Sequence, residues 1–347
     1  MGPWQAGKTA HIKFSRLIMN PSKRLTLCAG LLAVAAAIGA VPSAHAEQWP
    51  GKQPIRLVVP YAAGGFADLR ARQLATRLGH ALGANVIVDN KPGAGGIIGT
   101  DFVAKAAPDG NTIGMGNLAP LAVNPTLMKT MPYNVAKNLQ PVVLIEKAPL
   151  FLTTQADSGI ASVADLIAKA RANPGKLTFA SSGIGGAHHL SGEMLNMLAG
   201  IQLTHVPYKG GSPATTDLLA GHVSMMFEMG YSALPNLRSG KLKALAVSST
   251  KRLAVAPDVM TMQEAGIKNF VSYNWQGLVV PAGTPPAIVN RLNKEVNAIL
   301  ASPDIKKSIE DTGAEVGGGS PEDFAKLIQQ ETATWANVIK TAKIEAQ

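Results

Sequence analysis

The chain has 347 residues, 46% of them hydrophobic and 5% aromatic, with 32 Lys and Arg against 22 Asp and Glu. This apolar content excludes an intrinsically disordered chain, because burial can offset the loss of chain entropy, and a single cysteine excludes a disulfide scaffold. The net charge of +10 invites a nucleic-acid reading, and the length suggests about two domains.

The N-terminus comes first. Residues 1–24 carry Lys8, Lys13, Arg16, Lys23 and Arg24 and no acid, and the 17 residues from Leu25 to Val41 carry no charge at all. Pro42-Ser43-Ala44-His45-Ala46 follows. A basic start, an apolar run and a small-x-small site describe a secretory signal peptide cleaved after Ala46. The rival reading is a membrane anchor, which needs ~20 apolar residues; this run is shorter and rich in Ala. Met19 would give a more compact basic region, so both Met1 and Met19 stand as starts. Cleavage removes five basic residues and no acid, leaving 27 basic against 22 acidic residues, or +5 over 301 residues. It also removes Cys28. The remaining basic residues are dispersed and aromatics are few, so no nucleic-acid partner is expected. No second segment approaches spanning length, and a soluble mature protein is expected.

The body alternates strands with helices. Ile55 to Val59 reads as a buried strand. A helix follows over Asp68 to Leu82, with Leu69, Leu74, Leu78 and Leu82 as its apolar positions. Asn85 to Val88 is the next strand, then a Gly-rich turn and a helix to about Ala107. A strand over Thr112 to Met115 and a long apolar strand over Val142 to Thr153 come next. Ser162 opens a helix with a capping-box pattern. A second series begins with Leu177 to Ala180, a helix from about His188 to Leu198, the strand Thr204 to Val206, and a helix from Pro213 to Ala220. Strands follow over Val223–Phe227, Leu242–Val247 and Gly277–Val280. Two amphipathic helices close the chain, near Pro286–Ala301 and Pro321–Lys343. The alternation predicts an α/β fold with mainly parallel sheets.

Three turns share one design of strand, small residues and helix: Pro60 to Gly65, Gly93 to Gly99, and Ser181 to Gly186. Glycine lets a ligand approach the backbone, and the helix behind each turn points free N–H groups and a partial positive charge at it. Such turns suit an anion, and in open α/β sheets ligands lie beyond the carboxyl ends of strands. Equally, a βα turn simply needs glycine. A dinucleotide fingerprint fails by count, since Ile98 stands where a glycine is required. No phosphate-loop Lys is present.

Asp68, just inside the first helix, either completes the helix dipole, holds the Ala63–Gly65 amides in place, or meets a ligand amine or hydroxyl. Arg70 and Arg72 are expected to face solvent or pair with acids. Ser181, Ser182 and His188 raise a rival reading, an exported serine hydrolase. Against it, Gly-x-Ser-x-Gly is absent and no acid is evidently placed to orient a histidine. His189 and Glu193 share a helix face but lack HExxH, so no metal is expected.

The run Gln53 to Gly65 with Asp68, Ala71 and Arg72 resembles the opening signature of the Bug-type extracytoplasmic solute receptors of tripartite tricarboxylate transporters. The resemblance continues through Asn90 to Gly96, Ala107 to Gly110, Ser181 to Gly186, Val206 to Gly210, Asp217 to Val223, Leu245 to Ser248 and Pro281 to Pro286. It spans nearly all of the mature chain in order. Ala67 departs from the Thr or Ser common before the Asp, and the segment Ala256 to Thr261 lacks the usual Val-Pro-Thr run.

The resemblance implies a two-lobed periplasmic-binding fold (type II) with a ligand cleft between lobes. Its lobes would be residues 47–150 with 273–347, and 151–272, with crossovers near Lys147–Gln155 and Lys268–Gln276. It implies a periplasmic monomer, not an enzyme, that needs no cofactor. Such a receptor captures a small carboxylate and delivers it to membrane transporter components. The ligand classes it implies are di- and tricarboxylates, acidic amino acids, and aromatic acids such as terephthalate or nicotinate. The residues it places at the ligand are Tyr61, Ala63, Gly64, Gly65 and Asp68 on one side and Ser181, Ser182, Gly183, Gly185 and His188 on the other. Asn117-Leu118-Ala119, Tyr208, Lys209, Gly210, Phe227 and Glu228 would line the rest, and Tyr61 could stack on an aromatic acid.

Overall fold

A computed structural model of the chain describes Trp49 to Ala342, with Ile344 and Glu345. The expected signal peptide, its cleavage point after Ala46 and Cys28 lie outside these residues, as does Lys343, the expected end of the last helix.

β1 (Ile55–Val59) is an apolar run with only Arg56 exposed, as suits a strand covered on both faces. α1 (Phe66–Leu82) buries Ala67, Ala71, Leu74, Ala75, Leu78 and Leu82, spaced three and four apart, and ends on Gly83 in the left-handed region at φ 64°. Leu69, expected on that face, is instead 47% exposed, because its spacing of five from Leu74 rotates it off the stripe. β2 (Val86–Asn90), α2 (Ile97–Ala104) and β3 (Thr112–Asn117) follow. The long strand β4 (Leu139–Gln155) leads into α3 (Val163–Ala172), whose first turn is capped by Ser162 accepting from the Asp165 N–H at 3.1 Å.

The second series runs β5 (Thr178–Ser181), α4 (Ala187–Ala199), β6 (Thr204–Pro207), α5 (Gly211–Leu219), β7 (Met225–Met229), α6 (Gly230–Arg238) and β8 (Leu242–Val247). β7 starts two residues later than expected, because Ser224 is tied by its side chain and N–H to Thr178. The chain closes with β9 (Tyr273–Pro281), α7 (Pro286–Leu300), α8 (Pro303–Glu310), β10 (Glu315–Gly318) and α9 (Pro321–Ala342). No helix among the described residues is long and apolar enough to cross a membrane.

The sheet order is β2-β1-β3-β9-β4-β7-β5-β6, with β8 and β10 also paired to β4. The sheet is mixed and its parallel strands form two separate trios: β2-β1-β3 at one end and β7-β5-β6 at the other. The strands between them, β9 and β4, run antiparallel to their neighbours. β4 belongs to both ends, pairing with β9 and β10 up to Pro149 and with β7 and β8 from Leu150 onward. Helices cover this sheet, and large side chains such as Trp275, Phe151, Phe179, Phe227 and Phe324 are fully buried against it.

Candidate ligand-binding site

Three helices begin at one cavity. α1 starts behind Gly65, α4 behind Gly186 and α5 behind Gly210, and no side chain caps any of the three. The first N–H groups of each helix therefore lack an intrahelical partner, and each terminus carries partial positive charge. Tyr61, Ala63, Gly65 and Phe66 line the cavity from the first turn, Ser182, Gly186 and His188 from the second, and Gly210, Gly211 and Ser212 from the third. Asn117, Tyr231 and Asn274 complete the polar wall. The volume is about 60 Å³, room for a few waters or a short organic ion. Among the described residues, no Asp, Glu, Lys or Arg lines it.

The two ends of the sheet meet around this cavity. Phe66 stacks on Tyr231 with ring centroids 5.9 Å apart, and the Ser212 hydroxyl donates to the Gly64 carbonyl at 3.5 Å.

The first turn is held from behind by Asp68, which is 2% exposed. Its carboxylate accepts from the Gly64 N–H at 2.8 Å, from Arg72 Nε at 3.0 Å and from Asn90 Nδ2 at 3.0 Å. Asn90 also donates to the Tyr61 carbonyl. Burial alone would raise the Asp68 pKa, but the hydrogen bonds from Arg72, Gly64 and Asn90 outweigh it and hold the group below its ordinary range. Asp68 is thus a buttress, and it consumes the Gly64 amide.

The second turn has a neutral support. The Ser182 hydroxyl lies 2.8 Å from His188 Nδ1, and the Ser181 hydroxyl lies 2.7 Å from His205 Nε2. The Gly185 N–H donates to His189 Nδ1 at 3.1 Å. His189 and His205 stack at 4.0 Å, and Phe179 stacks on His205 at 4.9 Å. Burial pushes the His188 pKa down to about 4 and lowers that of His189. His205 is lowered by burial and then by the charge of His189. All three rings are neutral near pH 7. Ser182 and His188 do touch, but among the described residues no carboxylate contacts His188 to orient it, so the elements of a triad are not assembled.

Of the residues singled out from the sequence, Tyr61, Ala63, Gly65, Asn117, Ala119, Ser182, His188 and Gly210 line the cavity. Gly64 and Gly185 belong to the turns but donate their N–H groups to Asp68 and His189, and Ser181, at the start of its turn, meets His205; Gly64, Asp68, Ser181 and Gly185 do not line the cavity. Gly183, Tyr208 and Lys209 line a neighbouring recess on the other side of Tyr61, where the Tyr208 hydroxyl donates to Asp217 at 2.6 Å. Phe227 is not at the cavity: it is fully buried and stacks on Phe270 at 5.4 Å. Leu118 and Glu228 are likewise buried away from it. The Gly93–Gly99 turn packs behind Tyr61, where a Cβ on Gly96 would sit 3.2 Å from the phenol oxygen. Sequence reasoning placed Gly210 at the ligand but missed Gly211, Ser212, Phe66 and Tyr231. The Gly210–Ser212 turn had a signal, because strand, Gly-Gly and helix repeat there the design of the other turns.

The chain matches the tripartite tricarboxylate transporter family receptor over residues 70–344. Rpa4515 of R. palustris, solved with adipate, is 37% identical with a TM-score of 0.83, over 86% of this chain and 99% of that one. The periplasmic binding protein BugD is 37% identical with a TM-score of 0.81, over 85% and 99%. MatC of Rhodopseudomonas palustris, solved with bound malate, is 33% identical with a TM-score of 0.80, over 84% and 100%. The fold is therefore the two-lobed α/β fold of the periplasmic binding proteins, and the chain belongs to the Bug-type tripartite tricarboxylate transporter receptors, a family of periplasmic solute receptors rather than enzymes.

Proposed function

We propose that this chain is exported, loses residues 1–46, and captures a small carboxylate in the cavity for delivery, as a monomer, to membrane transporter components. The observation that carries the reading is the convergence of three uncapped helix N-termini on a cavity without formally charged walls. Oriented amides and helix dipoles suit an anion there. The candidate ligands are di- and tricarboxylates, acidic amino acids and aromatic carboxylates such as terephthalate or nicotinate. Adipate and malate in the two neighbours fall within that range.

The division proposed is one lobe of residues 47–150 and 273–347 and a second of 151–272. The change of partners along β4 between Pro149 and Leu150, and the start of β9 at Tyr273, support this division. A ligand touching both lobes would shift an open–closed equilibrium toward closure.

A thermal-shift screen of these carboxylates tests the reading, since a ligand at 100 times its Kd adds about 2.7 kcal/mol of stability. The bound compound is expected to be recovered unchanged. Gly65→Val is the companion variant. A Cβ at Gly65 meets only the Ala62 carbonyl, at 3.6 Å, so the fold is expected to persist while affinity falls about tenfold or more. Unaltered affinity would take the first turn out of the site.

A further inference from the structure

A chain of four side chains runs from α1 to the cavity wall. Arg70 grips Glu146 through two parallel bonds, Nε to Oε1 and Nη2 to Oε2, both 2.9 Å. A carboxylate only accepts hydrogen bonds, so it selects the nitrogen end of the Gln276 amide, and Gln276 Nε2 donates to Glu146 Oε1. The Gln276 oxygen is thereby turned toward Asn117, whose Nδ2 donates to it at 3.4 Å. Glu146 and Gln276 are fully buried and Asn117 is 2% exposed. Flipping the Asn117 amide would set two oxygens against each other, so the charge at the far end fixes its orientation. Asn117 lines the cavity, and its remaining atom, Oδ1, is buried with no hydrogen-bond partner. A buried acceptor left unmatched is costly, and native structures rarely tolerate one without a reason.

We propose that Asn117 Oδ1 determines specificity by accepting a hydrogen bond from a hydroxyl or amino group of the ligand. The receptor then prefers a hydroxy- or amino-bearing carboxylate to the same acid without that group. Gln276 is the positioning residue that keeps the oxygen, and not the nitrogen, available. This inference rests on the carboxylate reading given above and adds a second recognition element to it.

The test compares matched pairs by thermal shift and then titration calorimetry: malate with succinate, 2-hydroxyglutarate with glutarate, and glutamate with glutarate. The donor-bearing member is expected to bind about tenfold tighter or more in at least one pair. In Asn117→Leu that ratio is expected to fall to within about twofold, with the Tm of the unliganded protein as the folding control. Gln276→Met, which leaves Asn117 in place, is expected to lower the ratio as well, because the freed amide can turn its nitrogen to the ligand. If Asn117→Leu does not fold, the wild-type ratio and Gln276→Met decide. Succinate or glutarate binding as tightly as its partners in every pair overturns the inference while sparing the carboxylate reading, and so does a ratio that survives in Asn117→Leu. Absence of binding by both members of every pair overturns the inference, and the carboxylate reading falls with it only if the full screen of di-, tri- and aromatic carboxylates is silent as well.

Discussion

The turns after β1 and β5 are built alike and supported differently. Each ends on a glycine that opens a helix without a side-chain cap. Behind the first stands an ionised carboxylate, Asp68, with Arg72 and Asn90. Behind the second stand neutral imidazoles and hydroxyls: His188 with Ser182, His205 with Ser181, and His189 under Gly185. The same backbone geometry can be held by a buried carboxylate paired with an exposed arginine or by uncharged rings packed inside. The two supports then respond to different stresses.

Acid separates them most. The folded-state pKa values of the three histidines lie below the ordinary value of 6.5, with His188 at about 4. Protons therefore bind the unfolded chain first as pH falls. Stability from this support is fully present above 6.5 and is lost on the way down to about 4 for His188 and His189 and about 3 for His205. Asp68, lowered from 3.8, contributes above that value and loses its contribution only below it. Urea titrations at pH 7.5 and 5 are expected to differ by several kcal/mol, with loss of amide protection concentrated at Gly183–His188 and not at Gly65–Ala67. Equal protection losses in the two turns would erase the distinction.

Removing the charged support is the next largest effect. Asp68→Ala leaves the Gly64 N–H and Asn90 without their acceptor and is expected to cost about 2–4 kcal/mol in urea unfolding at pH 7.5. Its effect is expected to shrink as pH falls below 3.8 and the wild-type carboxyl begins to lose its own charge.

A smaller effect reaches the second turn through packing. A Cβ on Gly192 would lie 2.2 Å from the Phe179 ring that stacks on His205. Gly192→Ala is expected to cost about 1–3 kcal/mol and to weaken carboxylate binding without altering the chemical shifts of Gly64 to Ala67. A shift at the first turn would show that the supports are mechanically one.

Much of this was legible from sequence, for identifiable reasons. The capping box at Ser162 and the apolar run of β1 are local signals, and the helix and strand formed where these patterns placed them. The glycines after β1 and β5 announce turns by backbone need alone. The facing of a fully buried strand is different. All five residues of β7 are buried, so its apolar run carries no sign of whether Phe227 or Glu228 meets the cavity, and neither does. The imidazole stack was invisible too, because His189 and His205 come from different elements and meet only when β6 lies beside β5. The orientation of Asn117 depends on Arg70, Glu146 and Gln276, three residues scattered over the chain.

The uncharged wall of the cavity has a consequence for exchange. With no lysine or arginine among the described residues at its lining, an anion bound as proposed would be held by amide dipoles, whose field dies away within a turn or so of the helix end. Dissolved salt screens charges across a Debye length of about 10 Å, and it weakens the helix-end field wherever the cavity is open to solvent. Release would require only that the turns part, since there is no ion pair to break.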